Sequence, residues 1–424
     1  MKPRRRRRLL PLVHPREGRR LPRSLRPENV WRIAAGIPGG ISDPAFAELL
    51  HRIDEGPILG GNRVRLFTRG DAAFAAMGDA IDAAQSEVLV ESYILKDDAT
   101  GVRFAERLEA AAERGVSVKV LADFLGSWAT RSRFWARMRR RGVEARLFNP
   151  LFPQLWLQPF RDHRKILVVD RRVAFTGGMN IADEYGSSPV RGRRGRGRGP
   201  WRDSQIRVEG PTAWEMAVVF SEAWRRAGGS IDLASLEERP AGPVRILTLD
   251  SRPGRGHGET ASVLAAIVAA ATKRVWITNA YFAPRARALD HLGRAAARGV
   301  DVRLLLPGPT DVPLVRHAGH GYYRRLLESG VRVFEYRTAV LHAKTLVADD
   351  MLSIIGSTNL DFRSFHFNAE GNLVLLDEEV GGVFARAFEE DLACADEVTH
   401  RIWKRRGFWH ALGDSSARRL APLL

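Results

Sequence analysis

Residues 161–180 read RDHRKILVVDRRVAFTGGMN, and residues 340–359 read VLHAKTLVADDMLSIIGSTN. The chain has 67 basic residues, of which only seven are lysines. Two of those seven, Lys165 and Lys344, stand two residues after a histidine (His163, His342) and five before an aspartate (Asp170, Asp349). In each stretch six further residues lead to Gly-x-x-Asn, ending at Asn180 and Asn359. The two histidines and the two asparagines are each 179 residues apart (342 − 163 and 359 − 180), so nothing is inserted within the motif. A single chance match to the His-Lys-Asp spacing is expected about once in a hundred chains of this composition. A second copy with the same extension marks a duplication.

The duplication runs far upstream. EVLVESYIL (87–95) resembles RVWITNAYF (274–282), a β-rich apolar run ending near Tyr93 or Tyr281. ERLEAAAERGVSVKVL (106–121) resembles DHLGRAAARGVDVRLL (290–305): an amphipathic helix, a glycine stop at Gly115 or Gly299, then a strand. RMRRRGVEARLF (137–148) and RRLLESGVRVFEY (324–336) repeat that grammar. After each motif come a further strand (204–210, 371–377) and a long helix. The predicted fold class is α/β: two halves related by a pseudo-twofold axis, each a mixed, mostly parallel sheet flanked by helices. The expected boundaries are a basic, partly disordered segment at 1–57, a first half at 58–236, a linker near 237–244, a second half at 245–400, and a basic aromatic segment at 401–424.

Within each motif the apolar runs can pair as a hairpin, with Asp170 or Asp349 opening the turn. A strand sends alternate side chains to one face, so His163 and Lys165 point the same way, as do His342 and Lys344. If the halves meet about a twofold axis, two histidines, two lysines and two asparagines surround one cleft. Such a set is costly in a core and needs a ligand to justify it; a phosphate supplies the reason. Asp203, before one return strand, and Glu370, before the other, follow the histidines of their own halves by 40 and 28 residues (203 − 163 and 370 − 342). A carboxylate accepting from one imidazole nitrogen fixes the tautomer and aims the other nitrogen at phosphorus.

Length and composition suit a two-domain globular protein, with 424 residues, 45% hydrophobic and 27% charged. One cysteine, Cys394, excludes an internal disulfide and a cysteine-based zinc site. No apolar run reaches the ~20 residues of a spanning helix. The net charge is +18, unevenly placed. Residues 1–27 hold eleven basic and one acidic residue, 191–202 six basic and none acidic, and 400–424 six basic and one acidic. These stretches sum to +21, which leaves the rest at −3. A near-neutral body argues against a groove that tracks nucleic acid. Polybasic segments on such a body suit an anionic membrane, at about 1 kcal/mol per charge near the surface. LFNPLFPQLWLQPF (147–160) reads as an apolar lip that could dip into lipid, and RIWKRRGFWHALG (401–413) mixes tryptophan with basic residues as interfacial segments do.

The doubled motif resembles the paired signature of the phospholipase D superfamily. The wider pattern resembles its bacterial cardiolipin synthases, in WRDSQIRVEGP, AYFAP, GSTNLDFRSFHFNAEGNL and the closing APLL, over roughly residues 60–424. The departures are the arginine-rich head, the loop at 191–199, and Gly178 where the second copy has Ser357. The resemblance implies a phosphatidyltransferase that makes cardiolipin from phosphatidylglycerol and a second phospholipid, through a phosphohistidine. One histidine, by analogy His163, attacks phosphorus; the other, His342, protonates the departing alcohol and later deprotonates the acceptor. Their surroundings must push the two pKa values apart. Lys165, Lys344, Asn180, Asn359 and Ser357 would hold phosphate oxygens, with Asp203 and Glu370 orienting the histidines. Asp170 and Asp349 complete the catalytic motif, with bracing of the hairpins as their expected part. No metal, cofactor or nucleic acid is implied. The expected setting is peripheral, on the cytoplasmic face of a bacterial membrane, as in members without N-terminal spans. Whether water or a lipid hydroxyl takes the phosphatidyl group stays open at this stage.

Overall fold

After Lys165, Ile166 and Val168 enter one apolar core while Leu167 and Val169 enter another. A strand buried on both faces requires this, and it fixes the layering of the whole molecule. A computed structural model describes residues 21–150, 160–186, 200–233, 239–252 and 257–404. Chain order begins with α1 (Pro27–Ala35) and α2 (Pro44–Asp54). The first half follows as β1 (Ile58–Phe67), α3 (Gly70–Asp82), β2 (Glu87–Ser92), α4 (Ala99–Glu113), β3 (Ser117–Asp123), α5 (Ser132–Arg140), β4 (Glu144–Phe148), β5 (Arg161–Asp162), β6 (Lys165–Val169), β7 (Val173–Gly177), β8 (Gln205–Glu209) and α6 (Pro211–Arg226). The second half is β9 (Val244–Ser251), α7 (His257–Ala270), β10 (Arg274–Thr278), α8 (Ala286–Ala297), β11 (Asp301–Pro307), α9 (Pro313–Glu328), β12 (Arg332–Tyr336), β13 (Thr345–Ala348), β14 (Leu352–Gly356), β15 (Asn368–Leu376), α10 (Glu378–Leu392), β16 (Ala395–Val398) and α11 (His400–Lys404).

The strands join in the order β16-β12-β11-β10-β13-β14-β15-β9-β1-β8-β7-β6-β2-β3-β4, with β5 pairing β15 off that path. Read outward from the antiparallel β1–β9 pair at the centre, both halves give the same sequence of elements, with β16 added beyond β12 in the second half. The α/β class and the two related halves are as expected. The proportion of parallel pairing is not: it is limited to β2-β3-β4, β10-β11-β12 and the short β5–β15 contact. Within each half the strand–helix–strand crossovers produce the parallel neighbours. The motif hairpins and return strands turn straight back, so antiparallel pairs outnumber parallel ones.

Helices cover both faces. α6 and α10 share one core that spans the two halves, with Phe220, Trp224, Phe384 and Phe388 in it. On the opposite face α3, α4 and α5 pack on the first half and α7, α8 and α9 on the second. Gly115 and Gly299 end α4 and α8 at φ 88° and 89°, and an added Cβ would touch nothing at either, so the left-handed backbone alone demands glycine.

Residues 27–54, expected inside a basic terminal segment, form α1 and α2 instead. Their Val30, Trp31, Phe46, Leu50 and Ile53 are buried in the second half's core. Pro44 at the first helical position and an Asp43 carboxylate that accepts from Ala45 N at 2.9 Å start α2 cleanly. Amphipathic spacing at 30, 31, 34 and at 46, 50, 53 was the available signal, hidden by the arginines before it. Residues 1–20, most of the apolar lip (151–159), the Gly/Arg loop (187–199) and residues 405–424 lie outside the described residues. No helix among the described residues is long and apolar enough to cross a membrane.

Candidate active site

Each histidine sits just before its motif strand, on a segment that pairs with the other half. β5 runs parallel to the start of β15, with Arg161 opposite Asn368 and Asp162 opposite Ala369. His163 N donates to Ala369 O at 2.9 Å. The next residue on β15 is Glu370, and its Oε2 lies 3.0 Å from His163 Nδ1. The mirror arrangement holds for the other motif: Leu341 bridges Arg202, His342 N donates to Arg202 O at 2.8 Å, and Asp203 Oδ2 lies 2.7 Å from His342 Nδ1. Sequence reading placed each carboxylate with the histidine of its own half; the pairing is crossed. The cause is backbone geometry, because the segment before each histidine pairs with the other half: β5 with the start of β15, and Leu341 with Arg202, three residues before β8.

All four groups are buried. Burial pushes Glu370 up, but His163 and Lys165 overcome it and hold the carboxyl down at about 2. An ionised Glu370 can only accept, so the His163 proton sits on Nδ1 and Nε2 keeps its lone pair. Burial, opposed by Glu370 and helped by Lys165, pushes His163 down to about 4. His342 is also pushed down, by burial and then by Lys344. Lys165 falls to about 7 and Lys344 to about 8, burial being the main cause in both. Each histidine feels the other half's lysine, which is what one shared site requires. Lys165 Nζ donates to His163 O at 2.7 Å. Lys344 donates to His342 O and stands 3.0 Å from His342 Nε2.

The remaining motif residues divide. Asp170 and Asp349 are not brought to the histidines; they occupy the far ends of β6 and β13, in turns where Asp170, Arg171, Asp349 and Asp350 all have φ between 50° and 58°. Asp170 accepts from Gln85, Ser86 and Glu87 N at 2.9, 2.8 and 2.9 Å. Asp349 accepts from Thr272, Lys273 and Arg274 N at 2.7, 2.7 and 2.9 Å. Each caps the start of the neighbouring strand, so the catalytic grouping of these two is corrected to a bracing one. Asn180 is committed to protein contacts, accepting from Ile94 N at 3.1 Å and donating to Tyr185 Oη at 2.8 Å. Asn359 differs: its Oδ1 is buried with no hydrogen-bond partner. Ser357 Oγ donates to Glu370 Oε2 at 2.5 Å and accepts from Gly371 N at 3.0 Å, which spends it on the carboxylate rather than on a ligand. Its counterpart Gly178 has no room for a side chain: an added Cβ would lie 2.1 Å from Asp203 Oδ1. The longer Glu370 with Ser357 and the shorter Asp203 with Gly178 are thus matched sets.

Sequence reasoning missed the aromatic walls. Tyr93 stands edge-on to His163 at 5.0 Å between ring centroids, and Tyr281 and Tyr185 edge-on to His342 at 5.8 and 5.4 Å. Trp201 lies 5.4 Å from His342. Tyr93 and Tyr281 ended the aligned repeat strands, and that position was their only signal. Arg164, between His163 and Lys165, was also missed. It is buried, donates to Glu91 Oε1 at 3.3 Å and Ser251 O at 3.0 Å, and pairs with Asp250, which ties the first motif to β9.

A family model described as "Cardiolipin synthase, PLD-like domain" matches residues 77–186 and 264–392, one segment in each half. The chain belongs to this family. It is 32% identical over 427 residues to cardiolipin synthase 1 of Bacillus anthracis, covering 96% of this chain and 80% of that relative. It is 35% identical over 388 residues to cardiolipin synthase A of Pseudomonas fluorescens strain SBW25, covering 90% of this chain and 79% of that one. Phosphatidylserine synthase of Haemophilus influenzae Rd KW20 shares the fold, with a TM-score of 0.66 at 12% identity over 89% of this chain and 98% of that one. The protein is accordingly an enzyme of the cardiolipin synthase type, a phosphatidyltransferase of phospholipid biosynthesis.

Proposed function

We propose that the enzyme transfers the phosphatidyl group of one phosphatidylglycerol to a hydroxyl of a second phospholipid, giving cardiolipin, by way of a phosphohistidine at His163. The observation that carries this reading is the crossed pair of histidine–carboxylate contacts, which presents two imidazole Nε2 atoms beside two lysines in one buried site.

In the first step the His163 Nε2 lone pair forms a P–N bond and the P–O bond to glycerol breaks. His342, protonated, gives its proton to the leaving oxygen. Burial and Lys344 hold His342 deprotonated by themselves; an arriving anionic phosphodiester reverses that field and draws a proton onto it. In the second step a lipid hydroxyl gives its proton to His342 and attacks phosphorus, and the P–N bond breaks. Lys165, Lys344 and Asn359 hold the non-bridging oxygens and stabilise the charge of the five-coordinate transition state. Asp203 and Glu370 are positioning residues that keep the Nδ1 proton in place and stabilise each imidazolium as it forms. The enzyme works peripherally on the cytoplasmic face of the membrane, where its basic segments meet anionic lipid.

The test is to incubate purified protein with phosphatidylglycerol alone and resolve the products. Cardiolipin and free glycerol in equal amounts are expected. Phosphatidic acid and glycerol without cardiolipin would mean that water is the acceptor. Quenching in neutral denaturant, which spares the acid-labile P–N bond, with phosphorus-labelled lipid should trap labelled protein in the wild type and in His342→Ala with an activated leaving group, and none in His163→Ala. Label retained by His163→Ala would move the nucleophile elsewhere.

A further inference from the structure

The helix pairs α3/α4 and α7/α8 occupy equivalent places in the repeat, and each pair bounds a cleft. The two clefts differ in chemistry. The first, about 250 Å³, is lined by Asp71, Phe74, Arg103, Arg107 and Gly186 among others. Arg107 crosses it to pair with Asp82 and lies over Gly78, where an added Cβ would be 2.6 Å from the guanidinium. The second, about 450 Å³, is walled by Ala261, Leu264, Val268, Ala288, Leu346 and Leu360. Phe365 also lines it, 179 residues after Gly186 (365 − 186), so the same repeat position carries a cleft crowded by two arginines in one half and a larger, mainly apolar one in the other.

We infer that the α7/α8 cleft is the binding site for one acyl chain of a phospholipid substrate. This rests on the proposed phosphatidyl transfer and names where that substrate's tail goes. Two lining residues are chain neighbours of the candidate active site: Leu360 follows Asn359 directly, and Leu346 is two residues beyond Lys344. A phospholipid whose phosphorus reaches the histidines has its acyl chains only a glycerol's length away. The walls are small or aliphatic, and a cleft of this kind offers a chain of ordered waters few of the two to four polar partners each one needs. Its volume falls in the usual range for ligand sites, roughly 300–1,000 Å³. Two imidazoles line it: His366, stacked on Phe362 at 4.0 Å, and His291, which stacks on Trp31 at 4.6 Å and is pushed down to about 4 by burial and Arg294, so that it meets a chain as a neutral ring. Charge is kept to the rim, where Arg285 and Arg287 are exposed and Arg287 is tied to Glu28.

Filling the cleft tests the inference. Ala288→Trp and Ala261→Phe place bulk on opposite walls at half-exposed positions. Ala75→Trp, in the first cleft, is the control. Turnover is measured on dioleoyl and on dihexanoyl phosphatidylglycerol in detergent, and binding by the fluorescence of a parinaroyl phosphatidylglycerol. Both filled variants should lose about tenfold or more in kcat/KM on the long-chain lipid, since several methylenes lose their contacts. They should stay within about twofold on the short-chain lipid, which also shows that they fold, and Ala75→Trp should match the wild type on both. Equal losses on the two lipids, or no loss on either, would overturn the assignment. The two readings fail separately. A wild type that binds the parinaroyl lipid, with filled variants that do not, supports the cleft even if no lipid product forms, which would sink the transferase reading alone. A wild type that makes cardiolipin, with filled variants that bind the parinaroyl lipid equally well, would sink the cleft alone.

Discussion

His163 Nδ1 lies 3.0 Å from Glu370 Oε2, although the two residues belong to different halves of the repeat. His342 and Asp203 make the reciprocal contact at 2.7 Å. Neither motif histidine therefore finds its carboxylate within its own half. A site built this way exists only when the halves are docked, and its geometry depends on the central β1–β9 pairing as much as on the motifs.

Glu370→Gln keeps an oxygen that can accept from Nδ1 but removes the negative charge. His163, already pushed down to about 4, would fall further, and the positive charge that develops as it attacks phosphorus would lose its partner. A fall of about 10²–10³ in kcat is expected, with KM nearly unchanged, because the loss is specific to the transition state. Asp203→Asn should act on His342 in the same way. It should also move the alkaline limb of the kcat profile to lower pH, since a weaker base gives up its proton earlier. Activity within twofold of wild type in either variant would remove the carboxylates from the mechanism.

Lys165 and Lys344 are pushed down to about 7 and about 8 from the usual 10.5, burial being the first cause in each. The sign follows directly. A group whose folded pKa is depressed sheds its proton early, so both ammonium groups are partly neutral near pH 8. An anion seated between them raises both values and draws protons in. Binding of inorganic phosphate at pH 8 should therefore take up protons, and the lysines' share of that uptake, read as the difference between wild type and Lys165→Met, should shrink as pH falls toward 6, where both lysines are already charged and His342 supplies the remainder. Calorimetry in buffers of different ionisation enthalpy measures this. Lys165→Met should remove a large part of the uptake. Proton release on binding at pH 8 would contradict the assignment of these lysines to the phosphate.

Asp170 and Asp349 each satisfy three backbone N–H groups at the start of a neighbouring strand. Replacing either with alanine orphans those donors and should cost about 2–3 kcal/mol of stability. The folded fraction should keep most of its kcat, because neither carboxylate reaches the histidines. Urea unfolding and active-site-normalised turnover on the same samples separate the two quantities. A loss of turnover as deep as that of the histidine variants, at unchanged stability, would return these aspartates to the chemistry.

The parts of the site legible in the sequence were those fixed by local spacing. His163, Lys165 and Asn180 sit on one short stretch, so the alternation of a strand and the length of a hairpin placed them. The layering of the sheet followed from strands that alternate with helices in each half. The crossed carboxylates were not legible, since Glu370 is 207 residues from His163, and nothing local distinguishes an edge strand that pairs at home from one that pairs across. Helices α1 and α2 were obscured by the charge before them. Arg164 read as one arginine among many, although its buried contacts to Asp250 and Ser251 hold the first motif to the second half.

The basic head can be tested more sharply now that its folded part is known. Leu25 and Trp31 are buried in the second half's core, and Pro27 lines the α7/α8 cleft. A truncation through residue 27 would damage both. Residues 1–20 hold nine basic and one acidic residue and stop short of these contacts. Their role is expected to be attraction to anionic bilayers, an effect that screening confines to about 10 Å at 0.1 M salt. Deleting residues 1–20 should weaken co-sedimentation with anionic vesicles, most at low salt, with the difference from wild type narrowing as salt rises. Turnover on phosphatidylglycerol dispersed in detergent should stay within about twofold, because surface attraction matters little when substrate is delivered in neutral micelles. Vesicle binding that is unchanged at low salt would show that the head has another job. A collapse of micellar turnover with the fold intact would place it at the active site.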